Sequence, residues 1–289
     1  MKQQNIYNEL FKRNNPLVPA PTQQKIKSLR LLIAGCGSTG GAFIEGASRL
    51  GVLNFRLTEP DHYELHNLNR QFVYPEDTGK NKAVVHAERL NKFFAGCEPS
   101  IEVCTSGVSE ANIERLLTEV DVVFDAVDVT TAGGMKAKLL LHERAAAKKL
   151  LVLSALDLGY KQWIRIFDYR NGEAPLFGNF ERARNCKNPI KALFEGFCPL
   201  SEMSLEILQE IIRVFQNPGS SFCQIAAPCH LLAGFTGPLL VRIAEKKSLP
   251  ELLYFDPMRE IESQEESDGI KIEYDKLYRQ TKELLAGIK

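Results

Sequence analysis

The chain contains 289 residues, of which 36 are Lys or Arg and 36 are Asp or Glu, so its formal net charge is zero. A balanced charge provides no bulk attraction for polyanions, which argues against nucleic acid as a partner. The length fits one α/β unit with additions. Seven cysteines form an odd set without the spacing of a disulfide framework, which indicates reduced thiols and predicts a cytoplasmic protein.

Residues 1–28 form a polar N-terminal extension that prolines interrupt, without the apolar segment of a leader peptide. The apolar run from Arg30 to Ala34 then predicts a buried parallel strand. A glycine-rich turn follows and opens a helix predicted from about Thr39 to Leu50. Such a turn lets backbone approach a phosphate, and its last glycine lets the helix pack against the strand. The glycines are Gly35, Gly37 and Gly40.

A second strand, predicted from Val52 to Glu59, alternates apolar and polar residues and ends in an acidic side chain. Glu59 lies about twenty residues beyond the last glycine, where a carboxylate meets the ribose hydroxyls of a bound nucleotide. Strand, turn, helix, strand and acid in this order predict a nucleotide site. The alternative is a glycine-rich turn that binds no ligand.

Helices and strands continue to alternate up to residue 170, which predicts an α/β fold: a Rossmann-like, mostly parallel sheet with helices on both faces. The elements are helices at 80–94 and 135–149, a helix beginning at Ser109, and strands at 101–105, 121–128, 150–155 and 163–169. Residues 29–170 are therefore assigned to the nucleotide-binding part. Residues 171–225 break the pattern and form an irregular crossover segment, which contains one amphipathic helix at 201–216.

Residues 226–289 are predicted to complete the same domain. A long apolar helix at 226–244 and a strand at 252–256 precede an acidic linker at 260–268 and a terminal helix at 270–285. The apolar run in the first helix contains His230 and is short for a membrane span, so we expect a buried helix and no membrane association.

Motifs before and after the helix predicted at 80–94 are more specific. An Asn-Leu-Asn-Arg-Gln segment follows the second strand, a glycine and a lysine open the next helix, and two aspartates three residues apart end the strand from Asp121. The motif residues are Asn67, Arg70, Gln71, Gly79, Lys82, Asp125 and Asp128. This arrangement resembles the ThiF/MoeB/HesA family, relatives of the ubiquitin-activating enzymes. The resemblance covers about residues 23–257 and is weakest over residues 130–223.

The resemblance implies an ATP-dependent enzyme that adenylates a carboxylate and releases pyrophosphate. The acceptor would be the C-terminal glycine of a small ubiquitin-like or sulfur-carrier protein. Because the reaction spreads negative charge over phosphate oxygens, cations, a metal ion and helix N-termini provide the catalysis. Catalytic roles are implied for Arg70 and Lys82 as the cations and for Asp128 as a Mg²⁺ ligand. Nucleotide-binding roles are implied for Gly35, Gly37, Gly40, Glu59, Asp61, Asn67, Gln71 and Asp125. Asn67 and Gln71 would orient the phosphates or the carboxylate substrate, and Asp125 would support Asp128 or meet the ribose side.

Two features depart from the family pattern. Many relatives carry two C-x-x-C pairs that bind a structural zinc, but this chain has no such pair, so we expect no zinc. Val129 follows the second aspartate, where the family often has an asparagine, so phosphate or metal contacts there are expected to differ.

A nucleophilic cysteine is a further expectation, because some relatives transfer the activated carboxylate to a thiol and others stop at the adenylate. Cys186 and Cys198 lie in the crossover segment, where a nucleophile would be placed. Three nearby cations, Arg182, Arg184 and Lys187, would favour a thiolate at Cys186, the possible nucleophile. The alternative is that both cysteines are structural.

Three other functions remain open at this stage. A tRNA-modifying dehydratase of the same superfamily has similar motifs but would need a basic RNA-binding surface. A nicotinamide-dependent oxidoreductase shares the glycine turn but leaves Arg70, Lys82 and Asp128 without a role. A non-catalytic partner subunit would be expected to lose the cations. The family resemblance also predicts a homodimer, in which Arg13 is the nearest candidate for an arginine that reaches the neighbouring active site. The helix at 226–244 is apolar nearly all round, so one of its sides is expected to form the dimer interface. The alternative is a monomer in which the C-terminal helix covers that side.

Overall fold

A computed structural model describes residues 3–217 and 219–288, and in this part of the chain seven strands form one sheet in the order β3-β2-β1-β4-β5-β6-β7. The strands are β1 (Arg30–Ala34), β2 (Asn54–Thr58), β3 (Ser100–Cys104), β4 (Val122–Asp125), β5 (Leu151–Leu158), β6 (Lys161–Asp168) and β7 (Leu252–Phe255). The pairings from β3 to β5 are parallel, and those of β6 with β5 and β7 are antiparallel. The predicted α/β class and mostly parallel sheet are confirmed.

Helices cover both faces of the sheet, as the sequence predicted. They are α1 (Gln3–Phe11), α2 (Ala20–Ser28), α3 (Ser38–Leu50), α4 (Lys82–Phe93), α5 (Ile113–Leu116), α6 (Ala132–Ala147), α7 (Phe180–Arg184), α8 (Pro189–Gly196), α9 (Leu205–Gln216), α10 (Ala227–Ala244) and α11 (Gln264–Gly287). Because side chains alternate along a strand, Leu31 and Ile33 of β1 join the core under α3, α4 and α10, whereas Leu32 and Ala34 join the core under α5, α6, α8 and α9.

The N-terminal extension packs onto the first of these cores. Tyr7 and Ile26 are buried, and the Tyr7 hydroxyl donates a hydrogen bond to the Gly51 carbonyl oxygen at 2.8 Å. Gly51 ends α3 in the left-handed conformation, with φ +109°, which explains the glycine at this position. Arg13 lies in this extension and is exposed.

Helix α10 packs closely against α3. A side chain at Gly46 of α3 would overlap the Ala233 carbonyl oxygen of α10, so this glycine permits the approach of the two helices. Among the described helices, α10 alone has the length and apolar composition of a membrane span, and it buries Leu232, Leu239 and Leu240 within the fold.

Two local predictions are wrong. The helix expected from Ser109 is reduced to the single turn of α5, and residues 110–112 before it form hydrogen-bonded turns. The acidic linker expected at 260–268 is largely helical, since α11 begins at Gln264. Ser263 caps that helix: its N–H donates to the Glu266 carboxylate at 2.7 Å, and its hydroxyl oxygen accepts from the Glu266 N–H.

The carboxyl ends of the parallel strands meet at one edge of the sheet. Strand β1 lies between β2 and β4, so the chain reverses its direction across the sheet at β1. In open α/β sheets ligands bind at this kind of edge, in the crevice beside the switch point. The crossover segment supplies α8 and α9, which Asn188 and Ser204 cap, and these helices pack beside the same edge.

Candidate functional site

A cavity of about 630 Å³ opens at the carboxyl edge of the sheet. Its walls come from the glycine-rich loop, the ends of β2, β4 and β5, and the crossover segment. Eight of the residues that the sequence assigned to the site line it: Gly35, Gly37, Glu59, Asp61, Arg70, Gln71, Lys82 and Asp128. Residues from five separate segments are therefore brought to one crevice.

The glycine-rich loop is fixed by close backbone contacts. A Cβ atom at Gly35, which has φ +93°, would overlap the Ala126 carbonyl oxygen at the end of β4. A Cβ atom at Gly40 would overlap the Gly35 carbonyl oxygen, so Gly40 allows α3 to pack against β1. Gly37 lines the cavity at the N-terminus of α3, whose free N–H groups and dipole attract anions.

Glu59 is held at the end of β2 by backbone donors. Its Oε2 accepts from the Cys36 N–H at 2.7 Å, and its Oε1 accepts from the Asp61 N–H at 3.0 Å. Burial raises the pKa of Glu59, and these two backbone donors oppose that rise. The carboxylate is thereby fixed beside the glycine-rich loop, and each oxygen keeps a lone pair for a ligand hydroxyl.

Two cations face the cavity. Lys82 is largely buried, with a side-chain exposure of 12%, and its Nζ lies 3.7 Å from Asp61 Oδ2. Arg70 donates to the His66 carbonyl oxygen at 3.1 Å and to Asn69 Oδ1 at 2.9 Å. Within the described residues no carboxylate forms an ion pair with Arg70, and burial lowers its pKa. A half-buried guanidinium that forms no ion pair favours binding of an anion.

Four residues at the cavity wall hold buried polar atoms that have no hydrogen-bond partner among the described residues. The atoms are Thr58 Oγ1, Arg70 Nε, Gln71 Oε1 and Asp157 Oδ1. Buried polar groups in folded proteins are almost always hydrogen bonded, and leaving one unpaired costs about 1–3 kcal/mol. Their position around one crevice fits a polar ligand, or ordered water, that offers both donors and acceptors.

Asp128 is exposed on the loop after β4 and lines the same cavity. Its carboxylate accepts from the Thr130 N–H at 2.8 Å and from the Thr130 hydroxyl at 3.0 Å, which fixes its orientation. The described residues contain no group of three or more His, Cys, Asp or Glu side chains that could hold a metal. A Mg²⁺ ion at Asp128 would therefore need phosphate oxygens and water as its other ligands, which is how Mg²⁺ commonly binds.

Asp125 does not line the cavity, so its predicted contact with the ribose is wrong, whereas its predicted support of Asp128 fits its position. Its side chain is fully buried and forms an ion pair with Lys138, while His142 Nε2 and the Ser154 hydroxyl each lie 2.9 Å from its Oδ2. Although burial alone would raise the pKa of Asp125, Lys138 and His142 lower it below the usual value. With its lone pairs used inside the fold, Asp125 is structural.

The side chain of Asn67 also forms a local hydrogen bond instead of lining the cavity. It is buried, and its Oδ1 accepts from the Glu64 N–H at 3.0 Å, which closes the helical turn that follows β2. This contact positions the backbone from which Arg70 and Gln71 project. The expected contact between Asn67 and phosphate or substrate is therefore wrong in this arrangement, since the side chain does not line the cavity.

The cysteine expected to be a nucleophile lies away from the cavity. Burial and the Glu195 carboxylate raise the pKa of the Cys186 thiol, and the thiol donates to the Arg182 carbonyl oxygen at 3.3 Å. Two of the three cations that would favour a thiolate are paired instead, Arg182 with Glu195 and Arg184 with Glu181. The predicted thiolate is therefore wrong. Cys198 is fully buried, and burial raises its pKa well above the usual value.

A cluster that the sequence motifs did not reveal lies on the opposite side of the glycine-rich loop from Glu59. Ser38, the first residue of α3, donates its hydroxyl to Asp157 Oδ2 at 2.7 Å, and Cys229 Sγ lies 3.6 Å from the same oxygen. Burial and Asp157 raise the pKa of Cys229 to about 12. Asp157 carries the same signal as Glu59 and Asp128, an acidic residue at the carboxyl end of an apolar strand.

The chain matches a known protein family and is similar in sequence to adenylyltransferases. A family model described as the ThiF family matches residues 11–265. The sulfur carrier protein ThiS adenylyltransferase of Bacillus subtilis is 27% identical over 140 residues, which cover 47% of this chain and 40% of that protein. The molybdopterin-synthase adenylyltransferase of Escherichia coli is 28% identical over 174 residues, 57% of this chain and 65% of that protein. The chain spans less than two thirds of these relatives.

Solved structures share the fold at low sequence identity. PaaA aligns with a TM-score of 0.60 and 17% identity, over 89% of this chain and 78% of its own. E. coli MccB with ATP aligns with a TM-score of 0.59 and 17% identity, over 84% of this chain and 66% of its own. The E. coli tRNA N6-threonylcarbamoyladenosine dehydratase aligns with a TM-score of 0.56 and 16% identity, over 83% and 95%.

Proposed function

Because this chain belongs to the ThiF family, we propose that it uses ATP to adenylate the terminal carboxylate of a small protein and releases pyrophosphate. The observation that carries the proposal is the cavity at the sheet edge, where Arg70 and Lys82 line a crevice with four buried polar atoms that lack a partner within the described residues. A nucleotide triphosphate and a carboxylate provide the anions that these cations would bind.

In the proposed reaction, a carboxylate oxygen of the acceptor attacks the α-phosphorus of ATP, and the bond to the β-phosphate oxygen breaks. Glu59 would accept hydrogen bonds from the ribose, and the N-terminus of α3 at Gly37 would receive phosphate oxygens. Arg70 and Lys82 would stabilise the negative charge that develops on the phosphate oxygens. Mg²⁺ bound at Asp128 would supply further charge neutralisation to the leaving pyrophosphate.

The acceptor proposed is a ubiquitin-like or sulfur-carrier protein with a C-terminal glycine. Two relatives support this class by their names, one as an adenylyltransferase of the sulfur carrier ThiS and one of molybdopterin synthase. E. coli MccB, which shares the fold, has been solved together with MccA. We also propose that Mg²⁺ is required and that no zinc is bound.

The alternatives account for less of the site. A nicotinamide cofactor would use Glu59 but would leave Arg70, Lys82 and Asp128 without a role. The dehydratase that acts on tRNA shares the fold at 16% identity, but the zero net charge of this chain offers no bulk attraction for RNA. A non-catalytic subunit would have no need for cations that line an open cavity.

Nucleotide choice and product detection test the proposal together. Calorimetry should show that ATP with Mg²⁺ binds and NAD does not. Intact mass spectrometry should then detect an adenylated carrier when the protein is incubated with ATP, Mg²⁺ and candidate carrier proteins, and carriers that lack the last glycine should remain unmodified. Tighter binding of NAD than of ATP would reject the proposal.

We further propose that the protein is a cytoplasmic homodimer, with Arg13 reaching the neighbouring site. The exposed stripe of α10 contains His230, Gly234, Pro238 and Arg242 and no large apolar side chain, so the dimer expectation rests on the family rather than on this helix. Light scattering at micromolar concentration should give twice the mass of one chain. The mass of a single chain would reject the dimer and any role of Arg13 in trans.

A further inference from the structure

Asp157 lies at the opposite side of the glycine-rich loop from Glu59. Strand β5 is separated from β2 by β4 and β1, so the two carboxylates enter the cavity from different sides. Glu59 contacts the loop at the Cys36 N–H, and Asp157 contacts it at the Ser38 hydroxyl. If Glu59 binds the ribose, Asp157 lies on the other side of the phosphate-binding loop, the side on which we expect the acceptor to bind.

The free atoms at this end of the cavity are mainly hydrogen-bond acceptors. Asp157 Oδ1 and Gln71 Oε1 are buried and lack a partner in the described chain, whereas Arg70 Nε is the unpaired donor. The Arg70 charge acts on Asp157, and the two side chains line the same cavity. A ligand that pairs with all three atoms must therefore carry a hydrogen-bond donor for the two oxygens and an anionic group for Arg70.

A carboxylate or a phosphate could form a hydrogen bond only with the unpaired donor, Arg70 Nε. Their oxygens accept hydrogen bonds at neutral pH, so they can pair with Arg70 but leave the two acceptor oxygens unpaired. The ribose hydroxyls are donors, but they belong to the Glu59 side of the loop in the proposed reaction. Apart from water, the donor that would lie closest to the reacting carboxylate is the N–H group of the acceptor's terminal residue.

We propose that Asp157 is a specificity-determining residue that accepts a hydrogen bond from the amide N–H of the acceptor's terminal residue. The inference rests on the proposed adenylation. It implies that the site selects a carboxylate at the end of a peptide over a carboxylic acid without a neighbouring N–H. Burial raises the pKa of Asp157, while the Ser38 hydroxyl, Cys229 and Arg70 oppose the rise and favour the ionised carboxylate that this contact needs.

A pair of acyl-adenylate mimics tests this without knowledge of the natural acceptor. N-acetylglycyl-sulfamoyl-adenosine carries the N–H, and its acetoxyacetyl counterpart replaces that N–H by an ester oxygen. Calorimetry on the full-length protein should give a Kd for the amide mimic about 10- to 100-fold lower than for the ester mimic, the usual size of a hydrogen bond to a charged group. Asp157→Ala should remove the difference, and Asp157→Asn, which keeps an acceptor oxygen, should retain part of it.

Asp168 provides the matched control, since it ends the neighbouring strand and pairs with Arg170 outside the cavity. Asp168→Ala should retain the full difference between the mimics. If the wild type binds ATP in a separate titration but binds the two mimics equally well, the role of Asp157 is overturned and the proposed adenylation still stands. Failure of the wild type to bind ATP and both mimics would instead reject the adenylation. Loss of the Mg²⁺ dependence of ATP binding in Asp157→Ala would mark Asp157 as a metal ligand and also overturn the inference.

Discussion

His142 Nε2 lies 2.9 Å from Asp125 Oδ2, in the interior directly before the loop that carries Asp128. The same carboxylate pairs with Lys138, and His142 Nδ1 lies 2.8 Å from the Tyr169 hydroxyl. These buried contacts join the end of β4 to α6 and to the residues after β6. The network therefore fixes the backbone on both sides of the loop from which Asp128 projects into the cavity.

Substitution of Lys138 tests how much this network contributes to the stability of the fold. Lys138→Met should lower the free energy of unfolding by about 3–5 kcal/mol, because the Asp125 charge would remain buried without its main counterion. Denaturant unfolding measures the change. Arg170→Ala, which breaks the exposed pair with Asp168, should cost about 1 kcal/mol or less and is the control. Equal effects of the two substitutions would contradict the structural role of Lys138.

The two cations should contribute to catalysis rather than to folding. Arg70→Ala and Lys82→Ala should each reduce adenylation by about 10²–10³, the usual effect of removing one transition-state donor. Pyrophosphate exchange measures the rate, and the unfolding midpoint should change little. Lys80 offers a matched control, since its ammonium pairs with Asp77 and it does not line the cavity. Near-normal exchange in both cation variants would remove these residues from the site.

Asp128 should act through a metal ion. Asp128→Asn removes the negative charge but keeps the size of the side chain, so the affinity for Mg²⁺ should fall and adenylation with it. Raised Mg²⁺ should restore part of the activity, which a magnesium titration of the exchange rate would reveal. A wild-type enzyme whose activity is independent of magnesium would contradict this role.

Buried His86 predicts a loss of stability in mild acid. Burial and the Arg89 charge lower its pKa from 6.5 to about 4, and its Nε2 lies 2.9 Å from the Tyr63 hydroxyl. Between these values the unfolded chain binds a proton that the folded chain does not, so stability falls as pH falls below about 6.5. From pH 7 to pH 5 this group should remove about 2 kcal/mol.

Unfolding midpoints in urea across this pH range give the measurement, and His86→Gln should flatten the curve. His142 has a pKa that burial lowers in the same direction, so part of the slope should persist in that variant. An unchanged slope in His86→Gln would show that His86 does not contribute.

Much of the fold and part of the site follow from local sequence. The strand before Gly35 and the helix that ends at Gly51 depend on apolar periodicity and on glycine conformations within about twenty residues. Glu59, Lys82 and Asp128 lie at or just beyond the ends of such elements, so their approach to one edge follows from a parallel sheet, whereas Arg70 lies in the loop between β2 and α4.

The wrong assignments depend on contacts between distant parts of the chain or on side-chain direction. Asp125 and Asp128 belong to the same segment, but Lys138 and His142, from α6, take up Asp125 in the interior. Sequence spacing cannot show which of two nearby carboxylates turns inward. Asp157 was missed because β5 continues to Leu158 as half of an antiparallel hairpin with β6, beyond the predicted strand end.

Pyrophosphate exchange tests the central claim most directly. The protein, ATP, Mg²⁺ and a panel of sulfur-carrier and ubiquitin-like proteins should incorporate labelled pyrophosphate into ATP only when a carrier with its C-terminal glycine is present. Arg70→Ala should suppress that exchange, and Lys80→Ala should not. Absence of carrier-dependent exchange across the panel, from a protein that reduces or oxidises a nicotinamide cofactor instead, would contradict the account.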